Sequence, residues 1–519
     1  SKDFPISIST TRPETKVGDT AVAVHPDDSR YKNFVGKEYD AIFCGVPIHI
    51  KIIADKSVEK DFGTGALGVT PAHSMIDWEI AQRHNLKVVP IINEYAKMIV
   101  GDERILNKKT TVAREVIVEW LKNENLLEKE EEITQNIGIA ERTGGVIEPL
   151  LKLQWFINVN KPFTISHSEI KNITSGTKIT LKDIMRTAIK NGQINIIPEH
   201  FGKTYFHWIE NLRDWCISRQ IWYGHRIPVW YKGDEIYCDI EAPIGEGWIQ
   251  DEDTLDTWFS SGLWTFSTLG WPAETKDLKT YHPTNIIVPA YEILFFWIAR
   301  MILMTGYALG TIPFHTVYLT GIIRDTQGRK FSKSLNNGID PIDITKKYGA
   351  DAGRMALIVG NTPGTDMCIS EDKIKAYKHF ANKIWNATRF TLQNTEDFNF
   401  NNKKPKIFEA DEKILNELNK IVSEITNDIE NYRLYLAGEK IYHYVWHTFA
   451  DIIIEQSKPI LSGKNIEEKI SRQWTLLHIL FTTLKILHPF MPFITEEIWS
   501  LLPYNKNNSL LMVEPWPKV

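Results

Sequence analysis

Cysteine is scarce in this chain of 519 residues, and the four present (Cys44, Cys216, Cys238 and Cys368) are scattered without a C-x-x-C pair. That argues against a disulfide framework and against a zinc site, so no metal centre is expected, and it suits a reducing, cytoplasmic compartment. Long apolar runs are missing as well. The most apolar window, Tyr291 to Gly310, approaches the ~20 residues of a membrane span but is interrupted by Glu292 and Arg300, which favours a buried helix and no membrane partner. Charge of one sign is not in excess: the formal net charge is −5, so any nucleic-acid contact has to come from local basic faces. Repeats, low-complexity tracts and a secretory-signal pattern are absent, and the chain opens on Ser1 without an initiator Met, as expected of a chain that begins mid-protein. What remains is an ordinary globular mixture, 43% apolar and 24% charged, too long for one core and expected to form about three domains.

Residues 1–145 read mostly as short strands. Ile6 and Ile8 alternate, then Val22 and Val24, then Ile48, Ile50 and Ile52 after a Gly45-Val46-Pro47 turn, which predicts a β-rich barrel. Helices are expected over 76–83 and 111–123, followed by a solvated charge run, Glu128 to Glu132. Residues 146–245, mixed and rich in Trp and Pro, read as a connecting region. From 246 to 369 strand-like runs at 285–288 and 316–319 flank a helix around 295–305, as in an α/β layer. Residues 370–519 read as a helical bundle. Ser370 is placed as an N-cap before Glu371 and Asp372, and Ile374, Tyr377, Phe380, Ile384 and Trp385 recur at helical spacing. A second stripe runs Ile414, Leu415, Leu418, Ile421, Val422, Ile425, Ile429.

The most specific motif is Gly328-Arg329-Lys330-Phe331-Ser332-Lys333-Ser334, a glycine-started turn that concentrates cations and hydroxyls. Alone it also fits a solvated basic loop. Its chemistry suits a polyphosphate: when a carboxylate attacks the α-phosphate of ATP, charge builds on the departing pyrophosphate, and two lysines can neutralise it. The segment continues as Asn336-Asn337-Gly338-Ile339-Asp340-Pro341 and Lys347-Tyr348-Gly349-Ala350-Asp351. Here the sequence resembles the class I aminoacyl-tRNA synthetases, whose Lys-Met-Ser-Lys-Ser loop is followed by such a stretch.

The resemblance extends over nearly the whole chain and narrows to the valine-specific branch in four places. Thr10-Thr11-Arg12-Pro13-Glu14-Thr15 looks like the opening of that branch's editing insertion. Asp214-Trp215-Cys216-Ile217-Ser218-Arg219-Gln220 is similar to its return to the catalytic core. Asp256-Thr257-Trp258-Phe259-Ser260-Ser261 and Phe295-Phe296-Trp297-Ile298-Ala299-Arg300 are similar to the catalytic half, and His488-Pro489-Phe490-Met491-Pro492-Phe493 to the anticodon-binding bundle. The resemblance implies a multidomain α/β plus all-α protein: a β-rich editing barrel, the second half of a Rossmann-like catalytic domain, and a C-terminal anticodon-binding helical bundle.

It further implies ligation of valine to its tRNA through valyl-adenylate, with ATP and Mg2+. Lys330, Ser332, Lys333 and Ser334 would be catalytic, with Lys330 and Lys333 binding ATP. Trp258 and Trp297 would wall the valine pocket, with Glu292 where the family usually has Asp; outside these motifs most of the 17 Trp are expected simply in cores or interfaces. Editing must hydrolyse threonyl-tRNA, because a hydrophobic pocket rejects an added hydroxyl only weakly, the valine enzymes being themselves the standing example. Asp77 would hold the substrate ammonium, while Thr10, Thr11, Arg12, Thr15, Thr70 and His73 would line the site and orient water. Read by itself, Asp77 is also a helix-start carboxylate facing the macrodipole. Gly68 and Ser74 depart from the family, which commonly has lysine and aspartate there. Lys375, Lys378, Lys383 and Arg389 are the expected tRNA-binding cations, although lysines also suit any solvated helix face.

No His-x-Gly-His string occurs. The family carries it upstream of the editing insertion, so a separate N-terminal half is a further expected partner and this chain alone is expected not to form adenylate. Two other readings stand beside the ligase: a stand-alone hydrolase that clears misacylated tRNA, and a non-catalytic tRNA-binding module.

Overall fold

A computed structural model describes residues 4–140, 143–331, 336–398, 404–502 and 509–518. The chain divides into two compact units, Ser1–Gln154 and Trp155–Val519.

In the first unit, strands β1 (Ala21–Val24), β2 (Glu38–Phe43), β3 (Val46–Ala54) and β4 (Ala66–Val69) form one sheet in the order β2-β3-β1-β4. β1 runs parallel to β3, and the other pairings are antiparallel. Alternation decides the packing: Val22 and Val24 join Ile6, Ile50 and Ile52 on one face, while Ala21 and Ala23 join Val69 and Ile80 on the other. Helix α1 (Met75–His84) covers the second face, and α2 (Thr110–Asn123) packs in a third cluster with Ile91, Met98 and Ile105. The expected barrel is corrected here: β2 and β4 are the open edges of a four-stranded sheet, and 90–109 and 138–147 contribute only isolated bridges among the described residues. Ile6 is buried and Ser7 exposed as alternation predicts, yet 4–10 pairs with no strand.

In the second unit, residues 155–245 do more than connect. Helix α3 (Leu181–Lys190) is strongly amphipathic, with Thr180 capping it through Asp183 N–H, and it leads to strand β5 (Asn195–Ile197) and helix α4 (Phe201–Glu210). Beyond α5 (Thr257–Gly262) come β6 (Thr284–Ile287), α6 (Ala299–Ala308) and β7 (Phe314–Tyr318). β7 lies between β6 and β5 in a three-stranded parallel sheet. Ile184, Met185, Tyr205, Leu294, Ile298, Ile302, Phe314 and Val317 form its common core, so residues 159–212 of the expected connecting region are part of the α/β layer. The apolar 291–310 window is the buried helix anticipated, and no helix among the described residues is long and apolar enough to cross a membrane.

Helices α7 (Pro341–Tyr348) and α8 (Ala350–Ile358) lead into the bundle of α9 (Glu371–Gln393), α10 (Glu409–Glu430), α11 (Leu434–His443), α12 (Ile466–Leu487) and α13 (Pro492–Leu501). Ser370 caps α9, its hydroxyl accepting from Lys373 N–H at 3.3 Å, and Ile374, Tyr377, Phe380 and Ile384 are buried. Each such fully buried apolar side chain stabilises by about 1.5–3 kcal/mol. Trp385, placed by spacing in the same stripe, is instead 40% exposed. Three ionisable side chains tie the bundle together. Arg472 and Asp411 pair at 2.5 Å in its interior, and Asp351 on α8 accepts from Phe493 and Ile494 N–H, 142 and 143 residues further along the chain, at 3.2 and 2.7 Å, capping α13.

Candidate functional site

In the second unit the two tryptophan motifs meet. Asp256 caps α5, accepting from Trp258 N–H, and its Oδ2 also accepts from Trp215 Nε1 at 3.1 Å and Arg219 at 2.9 Å. Opposite it, Leu294–Ile298 is a π-helical segment leading into α6. The wider turn adds a residue before α6 and so re-aims the aromatics it carries. Trp297 Nε1 donates to Ser261 O at 3.0 Å and meets Trp264 edge to face, while Phe296 stacks on Trp258 with centroids 6.0 Å apart. Both Trp258 and Trp297 are half-buried, so each keeps surface for a ligand. Behind them Arg300, 6% exposed, lies 4.0 Å over the Trp215 ring with its Nη1 unpartnered, and burial pushes its pKa down to about 10. Sequence reasoning missed both Asp256 and Arg300 as organisers of the layer, although both lie inside quoted motifs.

Lys330 reaches the same layer. Its Nζ donates to Glu292 Oε2 at 2.6 Å, with Glu292 five residues before Trp297. Both side chains are about half exposed, so the pair is open to exchange for another anion. The turn behind Lys330 is braced by Asp325, which accepts from Gln327 and Arg329 N–H, from Arg329 Nε at 2.8 Å and from Asn337 Nδ2 at 2.9 Å. Those bonds hold the Asp325 carboxyl well below the usual range. Arg324 pairs with Asp366 and anchors the strand that enters the turn. Ser332, Lys333 and Ser334 lie outside the described residues.

The other expected cluster sits in the first unit. Pro13–Gly18 is a short 3-10 helix whose start is held by Thr15, donating to Arg12 O at 2.9 Å, and by Thr10, accepting from Arg12 N–H at 3.0 Å. Thr11 is exposed. Arg12 contacts Glu14, Glu148 and the carbonyl of His73. Ser74 caps α1, its hydroxyl accepting from Asp77 N–H. Asp77 is only 6% exposed. Its Oδ2 accepts from Thr70 N–H at 2.8 Å, and its Oδ1 has no hydrogen-bond partner among the described residues.

His73 is fully engaged by backbone. Ile91 N–H donates to Nε2 at 2.9 Å, so the proton sits on Nδ1, which donates to Pro149 O at 3.0 Å. Burial holds its pKa below the ordinary value, and the neutral ring pins two loops and has no nitrogen left for a water. Lys16 and Asp19, unremarked in the sequence, are buried in the same cluster. Lys16 Nζ donates to Asp19 Oδ1 (2.9 Å), Gly68 O (2.8 Å) and Thr70 Oγ1 (3.0 Å), while Thr70 Oγ1 lies 2.5 Å from Asp19 Oδ1. A lysine and an aspartate three residues apart on a short turn gave no signal of burial.

Of the expected tRNA-binding cations, all on α9, Lys375 and Arg389 are exposed and have no partner among the described residues. Lys383 pairs with Asp451, and Lys378 donates to Lys347 O at 2.9 Å.

Comparison with known proteins bears on both units. A family model described as tRNA synthetases class I (I, L, M and V) matches residues 73–246 and 240–370, and one described as the anticodon-binding domain of tRNA ligase matches 411–519. The chain is 42% identical to a valine--tRNA ligase of Oceanobacillus iheyensis, covering 100% of the chain and 57% of that relative. It is 44% identical to the valine--tRNA ligase of Thermotoga maritima, with 100% and 58% covered. The chain thus spans a little over half the length of these relatives. Among solved structures, a leucine enzyme (LeuRS) of Agrobacterium radiobacter K84 in a ternary complex with tRNA and LeuAMS matches with a TM-score of 0.50 at 17% identity, covering 99% of this chain and 61% of its own. Methionyl-tRNA synthetase of Mycobacterium tuberculosis bound by methionyl-adenylate matches with 0.53 at 17%, covering 75% and 71%. At that identity the likeness speaks to the fold.

Proposed function

The chain belongs to the class I tRNA synthetases of the I, L, M and V group, and from that membership we propose that it is the editing, second catalytic and anticodon-binding portion of a valine-tRNA ligase. The observation that carries the reading is the continuous line of contacts from Lys330 through Glu292 and the π-helical segment to Trp297 and α5, which joins a phosphate-seeking turn to a tryptophan-walled layer.

Valine enters beside Trp258 and Trp297, whose indoles exclude larger side chains. ATP places its phosphates at the turn, where Lys330 exchanges Glu292 for phosphate oxygen and, with Lys333, offsets charge on the departing pyrophosphate. Mg2+ would arrive on the nucleotide phosphates. Glu292, longer by one methylene than the usual Asp, faces the turn. Transfer of valine to the terminal ribose of its tRNA completes the ligation, with Lys375 and Arg389 of α9 free to meet tRNA phosphates.

The first unit edits. Asp77 Oδ1 receives the ammonium of a threonyl ester, and Thr70 and Arg12 shape the site around it. His73 contributes by fixing the loops and not by orienting water. The chain works with an N-terminal half that carries the His-x-Gly-His motif and by itself does not form adenylate. Valine-dependent pyrophosphate exchange tests this directly. The complete enzyme should exchange and charge tRNA with valine, and the 519 residues alone should not. Robust exchange by the chain alone would overturn the division of labour, and exchange with another amino acid in preference to valine would overturn the assignment.

A further inference from the structure

Behind the two tryptophan walls lies a buried cation that the ligation chemistry does not use. Arg300 stands at the start of α6, three residues beyond Trp297. Its Nη1 is buried without a hydrogen-bond partner, and Asp256, whose charge attracts it, is ion-paired to Arg219 instead. What meets the guanidinium is aromatic: its Cζ lies 4.0 Å from the centroid of Trp215 and 4.9 Å from that of Phe295. Burying an unpaired cation costs more than burying a methionine of similar reach. The planar guanidinium contributes what a methionine lacks, an oriented attraction for the indole face.

Arg300 meets α5 twice. Its side chain holds Trp215, whose Nε1 donates to Asp256 Oδ2 at 3.1 Å, while Asp256 Oδ1 accepts from Trp258 N–H at 3.3 Å at the opening of α5. Its backbone lies against the last residue of α5, since a Cβ on Gly262 would stand 3.5 Å from Arg300 O and 3.6 Å from Arg300 Cβ. One residue of α6 is thus fixed against both ends of the helix that carries Trp258. The bond from Trp297 Nε1 to Ser261 O ties the other tryptophan to the same helix.

We propose that Arg300 is a positioning residue for amino-acid selection: by holding Trp215 and, through Asp256, the start of α5, it fixes the separation of Trp258 and Trp297 and with it the largest side chain the pocket admits. The inference rests on the reading of those two tryptophans as the walls of the valine pocket. Isoleucine exceeds valine by a single methylene, and a wall excludes one methylene only as far as it resists displacement. Methionine at position 300 keeps the core filled and releases the indole. Lysine keeps a positive charge near the ring without the flat stacking surface.

The test is pyrophosphate exchange by the complete enzyme with valine and with isoleucine, with thermal unfolding of each variant recorded alongside. In Arg300→Met the KM for valine should rise at least about tenfold and the valine-over-isoleucine ratio of kcat/KM should fall at least about fivefold, with the KM for ATP changed by less than about twofold. Arg300→Lys should recover part of the lost ratio. A merely structural role would lower the active fraction, and so kcat, alike for both amino acids and leave each KM in place. Trp215→Phe keeps a ring beneath the cation and drops the bond to Asp256, so it should lower the ratio in the same direction. A folded Arg300→Met with the parent's ratio, or an Arg300→Lys no better than Arg300→Met, overturns the role given to Arg300. If Arg300→Met does not fold, a Trp215→Phe variant with the parent's ratio overturns it. A Trp297→Ala variant that keeps the parent's KM for valine overturns the pocket reading itself.

Discussion

Asp77→Asn separates charge from shape at the candidate editing site. Asparagine is nearly isosteric with aspartate and retains a carbonyl oxygen to accept from Thr70 N–H, which now bonds Oδ2 at 2.8 Å, so the α1–β4 junction should survive. What is lost is the anion. Asp77 is 6% exposed, which places a bound ammonium in a largely desolvated pair. Removing one partner of such a pair costs about 2–5 kcal/mol, equivalent to roughly a 30-fold to few-thousand-fold fall in kcat/KM. Deacylation of threonyl-tRNA under single-turnover conditions measures the loss, and thermal unfolding should show a shift of no more than a few degrees. Asp77→Ala, which also abandons Thr70 N–H, should lose the same activity and more stability. If Asp77→Asn hydrolyses threonyl-tRNA within threefold of the parent rate, the carboxylate does not hold the ammonium and the argument fails.

Other perturbations probe the remaining parts. Lys330→Ala in the complete enzyme should slow pyrophosphate exchange at least about a hundredfold, since electrostatic groups of this kind supply such factors, while chemical denaturation shows almost no change because the pair with Glu292 is half exposed. Arg472→Met should strip the buried Asp411 of its partner and destabilise the bundle by about 3–5 kcal/mol in denaturant unfolding, whereas Arg472→Met/Asp411→Leu should recover most of that. The pH dependence of the first unit should carry the mark of His73. Its folded pKa lies below the unfolded value of about 6.5, so its contribution is whole above that pH and lost as pH falls below it. Protonation there would set an N–H against Ile91 N–H. Urea midpoints of the parent between pH 7.5 and 5.5 should fall more steeply than those of His73→Gln.

Much of the architecture is legible in single segments. Ser370 before two acidic residues announces the cap of α9, the spacing of Ile374, Tyr377, Phe380 and Ile384 announces its buried face, and the alternation of Ile48, Ile50 and Ile52 and the strand-like run at 316–319 announce β3 and most of β7. Trp385 fits that spacing yet stays 40% exposed, because the width of a helix's buried stripe is decided by what packs against it. The tryptophan motifs and the Lys330 turn are equally visible as strings, and their chemistry follows from residue type.

What the sequence by itself determined, then, is the run of helices and strands and the inventory of reactive groups, because caps, turns and apolar periods are properties of neighbours along the chain. Only the tertiary structure decided that β5 joins β7, that the four strands of the first unit make an open sheet, that Asp351 caps a helix whose N–H groups lie 142 and 143 residues away and that Lys16 is buried beside Asp19. Each of these depends on which distant segments exclude water together.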